Sequence, residues 1–195
     1  MGEKIVIATT SFSNYESEVR YITAVSGNTF TLDEPLHYRH ISEVPTYGDY
    51  EMPMQGEVAL LTRNIVYRGE TETSKDGQYG AHIMIHSPGD ESSIGKIEYV
   101  ELTDVGQAFK LGRYPLHYHM IGTVHNSYVR GNSIYHTYNR AVTIHGVHYF
   151  RILKNVAFDT MGHTFFVEDA AETKNYLNGN IAIQVKASMS LLNTD

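Results

Sequence analysis

Cysteine is absent from the 195 residues, which excludes disulfides, thiolate nucleophiles and Cys-ligated zinc together. Tryptophan is absent too, and there are only five prolines. Long apolar runs are missing. Val58-Ala59-Leu60-Leu61 is typical of what there is, so no segment has the length to cross a bilayer and no membrane contact is expected. Positive charge is scarce, with 15 Lys plus Arg against 22 Asp plus Glu and a formal charge of −7. That excludes a general nucleic-acid binder, which offsets phosphate charge with a basic surface. No basic, apolar leader precedes Lys4-Ile5-Val6-Ile7-Ala8. Secretion is not encoded in these residues, so an extracellular setting implies a longer parent chain.

What the chain has in quantity is Tyr (15), Gly (16) and His (11), with Val, Ile and Thr in short alternating runs. That is the composition of strands. No stretch sustains 3.6-residue apolar spacing with caps, so helices should be short or absent. Residues 19–25 and 29–32 read as strands, and Ser26-Gly27-Asn28 between them suits a hairpin. The stretch from His37 to Gly56, with two prolines and little alternation, reads as a loop. Residues 1–45 are therefore expected to form an antiparallel β unit and linker, and residues 46–195 a different architecture.

That architecture is announced by a repeat. Asn64, Asn132, Asn155 and Asn180 each precede a short apolar strand, and the last three are separated by 23 and 25 residues. A period in the low twenties suits one coil of a β-solenoid. Asn fits its corner because it tolerates left-handed geometry and its amide can bond the next coil. A regular leucine frame is missing, which excludes leucine-rich repeats. The expected fold is all-β: a right-handed parallel β-helix of the pectate-lyase type, with Ile134, Ala157 and Ala182 facing its core.

A second register carries the polar chemistry. His86, His119, His145 and Glu168 are separated by 33, 26 and 23 residues, and each follows an apolar residue in a strand-like run. Strand alternation turns the apolar residues in and these four out, flanked by Met84, His117, Thr143 and Phe166. The sheet face should then show a column of imidazoles ending in a carboxylate, with Arg140 and His163 near the corners. Three readings follow. The column can be a packed ladder joining coil to coil. It can be a carbohydrate site, with His119, His145 and Glu168 in acid–base roles, His86, His117 and Phe166 as further contacts, and Arg140 gripping a uronate carboxylate. It can hold a divalent metal through His119, His145 and Glu168. His125, His136 and His148 fall in other registers, and Asp169 and Glu172 are expected in a solvated loop.

Longer motifs add a resemblance. Residues 106–119 (Gly-Gln-Ala-Phe-Lys-Leu-Gly-Arg-Tyr-Pro-Leu-His-Tyr-His), 139–146, 161–169 and the ending Ser190-Leu191-Leu192-Asn193-Thr194-Asp195 are similar to the β-helix region of the fibrocystin-L and cell-surface hyaluronidase family. The resemblance implies an extracellular or cell-surface segment, with a glycine-rich β domain upstream and further coils downstream in a larger parent. It implies a structural scaffold with a glycan-binding face, or a depolymerase of hyaluronan-type polysaccharides. A filament subunit assembled from neighbouring protomers is a third role, and Ca²⁺ or another divalent ion an expected cofactor.

Overall fold

The computed structural model describes residues 2–87 and 89–188. It is all-β apart from a 3-10 turn at Asn14–Glu16 and one short helix, α1 (Thr71–Gly77). The chain divides into two compact units, Met1–Thr62 and Arg63–Asp195.

The first unit is antiparallel. Strands β1 (Lys4–Ile7), β2 (Glu18–Ser26), β3 (Thr29–Leu32) and β8 (Val58–Leu60) form a sheet in the order β3-β2-β1-β8. The β2–β3 hairpin turns at Gly27, whose φ of +57° suits a residue without Cβ. Between β3 and β8 lie four two-residue strands, β4 (Ser42–Glu43), β5 (Thr46–Tyr47), β6 (Tyr50–Glu51) and β7 (Met54–Gln55), paired as β4–β7 and β5–β6. The stretch read as loop thus carries two small ladders. The unit also runs past residue 45, because Val58, Ala59 and Leu60 pair with Ile7, Val6 and Ile5.

The second unit is built from three parallel sheets that the chain visits in rotation. The first sheet contains β10 (Ile83–His86), β13 (Leu116–Thr123), β16 (Val142–His148) and β19 (Phe165–Val167). The second contains β11 (Lys96–Glu98), β14 (Tyr128–Arg130), β17 (Arg151–Leu153) and β20 (Tyr176–Asn178). The third contains β9 (Ile65–Arg68), β12 (Val100–Val105), β15 (Ser133–Thr137), β18 (Val156–Met161) and β21 (Ile181–Lys186). Every neighbour in a sheet comes from the next turn of the chain, so residues about one repeat apart stack at the ordinary strand spacing of about 4.8 Å. The interior is apolar and closed, with Leu102 and Ile134 from the third sheet, Leu116 and Ile144 from the first and Val129 and Ile152 from the second all buried. Ala157 lies in the Ile134 column, and Ala182 continues it at the last described rung, where it is exposed.

The Asn corner is a hydrogen-bonded ladder. Asn155 Oδ1 accepts from the backbone N and Nδ2 of Asn132, each at 3.0 Å, and Asn180 Oδ1 accepts from the same two atoms of Asn155 at 3.0 and 2.9 Å. The asparagines do not themselves supply the left-handed turn. That falls to the residue before each one, Gly131, Lys154 and Gly179, with φ of +64°, +53° and +66°. Asn64 is off the ladder. The register aligns Asn132 with Val100 and Ile65, so Asn64 sits one residue early and is exposed. The ending at residues 190–195 lies outside the described residues.

Candidate metal centre

The first sheet fixes the polar column by register. Met84, His117, Thr143 and Phe166 stand on one row, and His86, His119 and His145 on the next but one. Glu168 follows β19 directly, and its N–H donates to Ile144 O at 3.0 Å, which sets it beside His145. Apolar Leu116, Tyr118, Val142 and Ile144 occupy the opposite face and anchor each rung in the core.

The column is not an open face at its centre. The loop before β13 folds over it, so His117 is only 2% exposed and Thr143 is fully buried. Two contacts hold this cover: the Tyr114 ring lies 4.8 Å from the His117 ring, and His117 Nδ1 lies 2.9 Å from Gly112 O. A carbonyl only accepts, so Nδ1 carries the proton and Nε2 turns a lone pair toward the cluster. His145 is oriented in the same sense, because its Nε2 lies 3.1 Å from Asp169 Oδ2. Its Nδ1 faces the cluster. His119 Nδ1 sits between them, 3.3 Å from His117 Nε2 and 3.1 Å from His145 Nδ1.

The carboxylate completes the group. Glu168 Oε2 is buried, takes no hydrogen bond, and faces His145 Nδ1 at 3.3 Å and His117 Nε2 at 3.9 Å. Its other oxygen accepts from Tyr114 OH at 3.1 Å, and Tyr114 OH accepts in turn from Arg140 Nη1 at 2.9 Å. Ring nitrogens of three imidazoles and a carboxylate oxygen thus converge on one small space, a set of donor atoms that a proton, a water hydrogen or a metal cation can bridge. Burial pushes His117 down to about 4, the His119 and His145 rings adding to it against the Gly112 carbonyl. Burial and then His145 and His86 lower His119 as well. Both rings are therefore neutral at ordinary pH, the form that binds metals.

The structure brings His117, His119, His145 and Glu168 together and leaves others outside. His86 is exposed, and its Nδ1 bonds the backbone oxygen of His119 at 3.2 Å, away from the converging nitrogens. His163 is exposed and stacks on Phe166 at 5.1 Å. Arg140 is only 1% exposed, with its guanidinium 3.8 Å over the Phe166 ring. It cannot offer its fork to a uronate in solvent, and instead holds Tyr114 and through it Glu168. Asp169 and Glu172, expected in a solvated loop, support the site: Glu172 accepts from Gly146 N at 2.9 Å and from Asp169 N at 3.3 Å. Tyr114 lies in the 106–119 motif but had no signal for this role beyond its place just ahead of a strand. Among the histidines of other registers, His136 pairs with Asp159 and His148 accepts from Thr173 N.

Comparison with known proteins places the chain in a family. A family model described as CEMIP β-helix matches residues 78–195, the stretch that contains every residue of the cluster. The chain belongs to the CEMIP β-helix family. Mouse fibrocystin-L is 39% identical over the whole of this chain, which covers 6% of that protein. Human cell surface hyaluronidase CEMIP2 is 35% identical over the whole chain, covering 15% of its length. A G8 domain-containing protein of Dictyostelium discoideum is 38% identical over 95% of the chain and 16% of its own length. This CEMIP β-helix chain thus corresponds to a small part of each of these relatives.

Proposed function

We propose that the chain is a right-handed parallel β-helix segment of an extracellular surface protein, and that His117, His119, His145 and Glu168 hold one divalent transition-metal ion that serves a polysaccharide site. The observation that carries the reading is the spacing of the donor atoms. Four of the six donor pairs stand 3.1, 3.3, 3.3 and 3.9 Å apart, and the three imidazole nitrogens all lie within 4.8 Å of one another. A tetrahedral ion with bonds of about 2.0–2.1 Å requires donor separations of about 3.3–3.4 Å. Imidazole donors suit zinc, copper, nickel or iron, whereas Ca²⁺ takes an all-oxygen shell, so the donor set argues for the former. The Gly112 carbonyl and Asp169 carboxylate act as the outer partners that orient ligating imidazoles. A bound ion supplies Lewis-acid polarisation of a substrate oxygen or of water.

The polysaccharide part rests on the relatives, one of which is named a cell surface hyaluronidase. Metal-stripped protein, reloaded with zinc, should bind one equivalent by elemental analysis, and His119→Ala should abolish it. Failure to bind stoichiometrically sinks the metal centre. Incubation with size-defined hyaluronan then tests the chemistry: shortening that depends on the metal and on His119 supports a depolymerase, while retention without shortening leaves a binding scaffold. A second reading, a ladder of packed imidazoles joining the coils, draws on the His86 and His119 rings 5.2 Å apart. It predicts no metal uptake.

A further inference from the structure

The antiparallel sheet of the first unit ends in a strand with one bare edge. β3 pairs with β2 on one side and is the last strand in the order β3-β2-β1-β8. Natural edge strands are guarded by charges, by proline, by a bulge or by a covering segment. Residues 22–32, which span the β2–β3 hairpin, carry neither charge nor proline, in a chain that is 19% charged. The bulge between Ile22 and Ala24 lies on the inner strand and leaves β3 regular. From Thr23 to Thr31 the hairpin is exposed on both faces, with Val25 and Phe30 paired as its large apolar side chains. A two-stranded ribbon bare on both faces is marginal in water by itself.

We infer that β3 is a homodimerisation edge, on which a second copy of this chain lays its own β3 antiparallel about a two-fold axis through Thr31. Backbone geometry selects the register. The turn is two residues long, Gly27-Asn28, so the flanking Ser26 and Thr29 exchange hydrogen bonds, and alternation repeats the exchange at Ala24 and Thr31. Phe30 and Leu32 therefore turn their N–H and C=O groups toward the bare edge. An axis through Thr31 sets Phe30 opposite the partner's Leu32, and every outward group finds a mate. An axis through Phe30 would set Leu32 against the turn residue Asn28, and one through Leu32 would set Phe30 against Glu34, past the strand end. The side chains agree. Leu32 packs on Ile5, Ile7 and Ile22, so Phe30 laid beside the partner's Leu32 extends an apolar strip. On the other face Thr31 meets its own copy and Asp33 stands opposite Thr29, so no two charges oppose each other. An uncharged edge thus complements itself and offers nothing to a charged strand. The contact closes at two copies, unlike a filament. Four residues make a small interface of the weak class, with a dissociation constant on the order of 100 µM.

Sedimentation equilibrium of the full chain, from about 10 µM to about 1 mM, tests the edge. The wild type should pass from monomer to dimer and stop there. Thr31→Lys and Thr31→Glu, at an exposed position, each set like charges across the axis and should stay monomeric with an unchanged circular dichroism spectrum. Mixed in equal amounts, the two variants should dimerise, because the axis then joins opposite charges. Phe30→Pro removes an outward N–H without touching a bond to β2, and should weaken association about 10-fold. It gives a second reading that does not depend on how the charged variants fold. A wild type still monomeric at about 1 mM overturns the inference. So does association that grows past the dimer, that survives in Thr31→Lys, that Phe30→Pro leaves unchanged, or that the mixture fails to restore.

Discussion

At the scale of single residues, Tyr114 shows how one hydroxyl can set the state of a site. It accepts from Arg140 and donates to Glu168, so it fixes one carboxylate oxygen and leaves the other aimed at the imidazoles. Tyr114→Phe keeps the ring on His117 but leaves Glu168 Oε1 without its donor. Zinc affinity, measured by competition with a chromophoric chelator, should fall about 10-fold, the usual cost of losing an outer partner. A different residue governs the first unit. Burial raises Glu18, but the backbone N–H groups of His37 and Tyr38, then His40 and Arg20, outweigh it and hold the carboxyl down at about 2. Because the folded value lies below the ordinary 4.5, this stabilisation is complete above pH 4.5 and is lost as pH falls toward 2. A depression of this size corresponds to roughly 3 kcal/mol. Acid titration followed by circular dichroism should show the wild type losing stability across that window, and Glu18→Gln should flatten the dependence at a lower plateau.

The individual elements show what a sequence can disclose and what it hides. Rung spacing was legible: separations of 26 and 23 residues placed His119, His145 and Glu168 on consecutive coils, and alternation put them opposite Tyr118, Ile144 and Val167. The Asn corner was legible for the same reason. The cover over His117 was not, because the segment from Ala108 to Pro115 has no period and its contacts are made by a backbone carbonyl and one ring. The end of the first unit was hidden too, since only the antiparallel register of Val58–Leu60 assigns that strand to it. Asn64 misled because a shared sequence pattern does not fix register to one residue. The ladder itself makes a strong claim on stability. Asn155→Ala removes an acceptor from Asn132 and a donor from Val129 O, both buried groups. Orphaned buried groups cost about 1–3 kcal/mol each, so urea unfolding should report a loss of about 2–6 kcal/mol. Asn180→Ala, at a partly buried rung, should cost less.

For the molecule as a whole, the metal reading makes a claim that its local geometry does not. The proposed ligands come from two stacked strands and the segment after a third, β13, β16 and the residues beyond β19, so an ion there would cross-link three coils. A ligand that binds only the folded state stabilises it by mass action, about 2.7 kcal/mol at a hundredfold excess over its dissociation constant. For a unit the size of residues 63–195 that amounts to a rise in thermal midpoint of about 5–15 °C. Glu18, His40 and the rest of the first unit contain no such cluster among the described residues. Differential scanning calorimetry with and without zinc should therefore raise the transition of the second unit and leave that of the first in place. His145→Ala should lose the rise, because it removes one of the converging nitrogens. A rise that persists in that variant would mean that zinc is held elsewhere, and the column would revert to a ladder of packed rings.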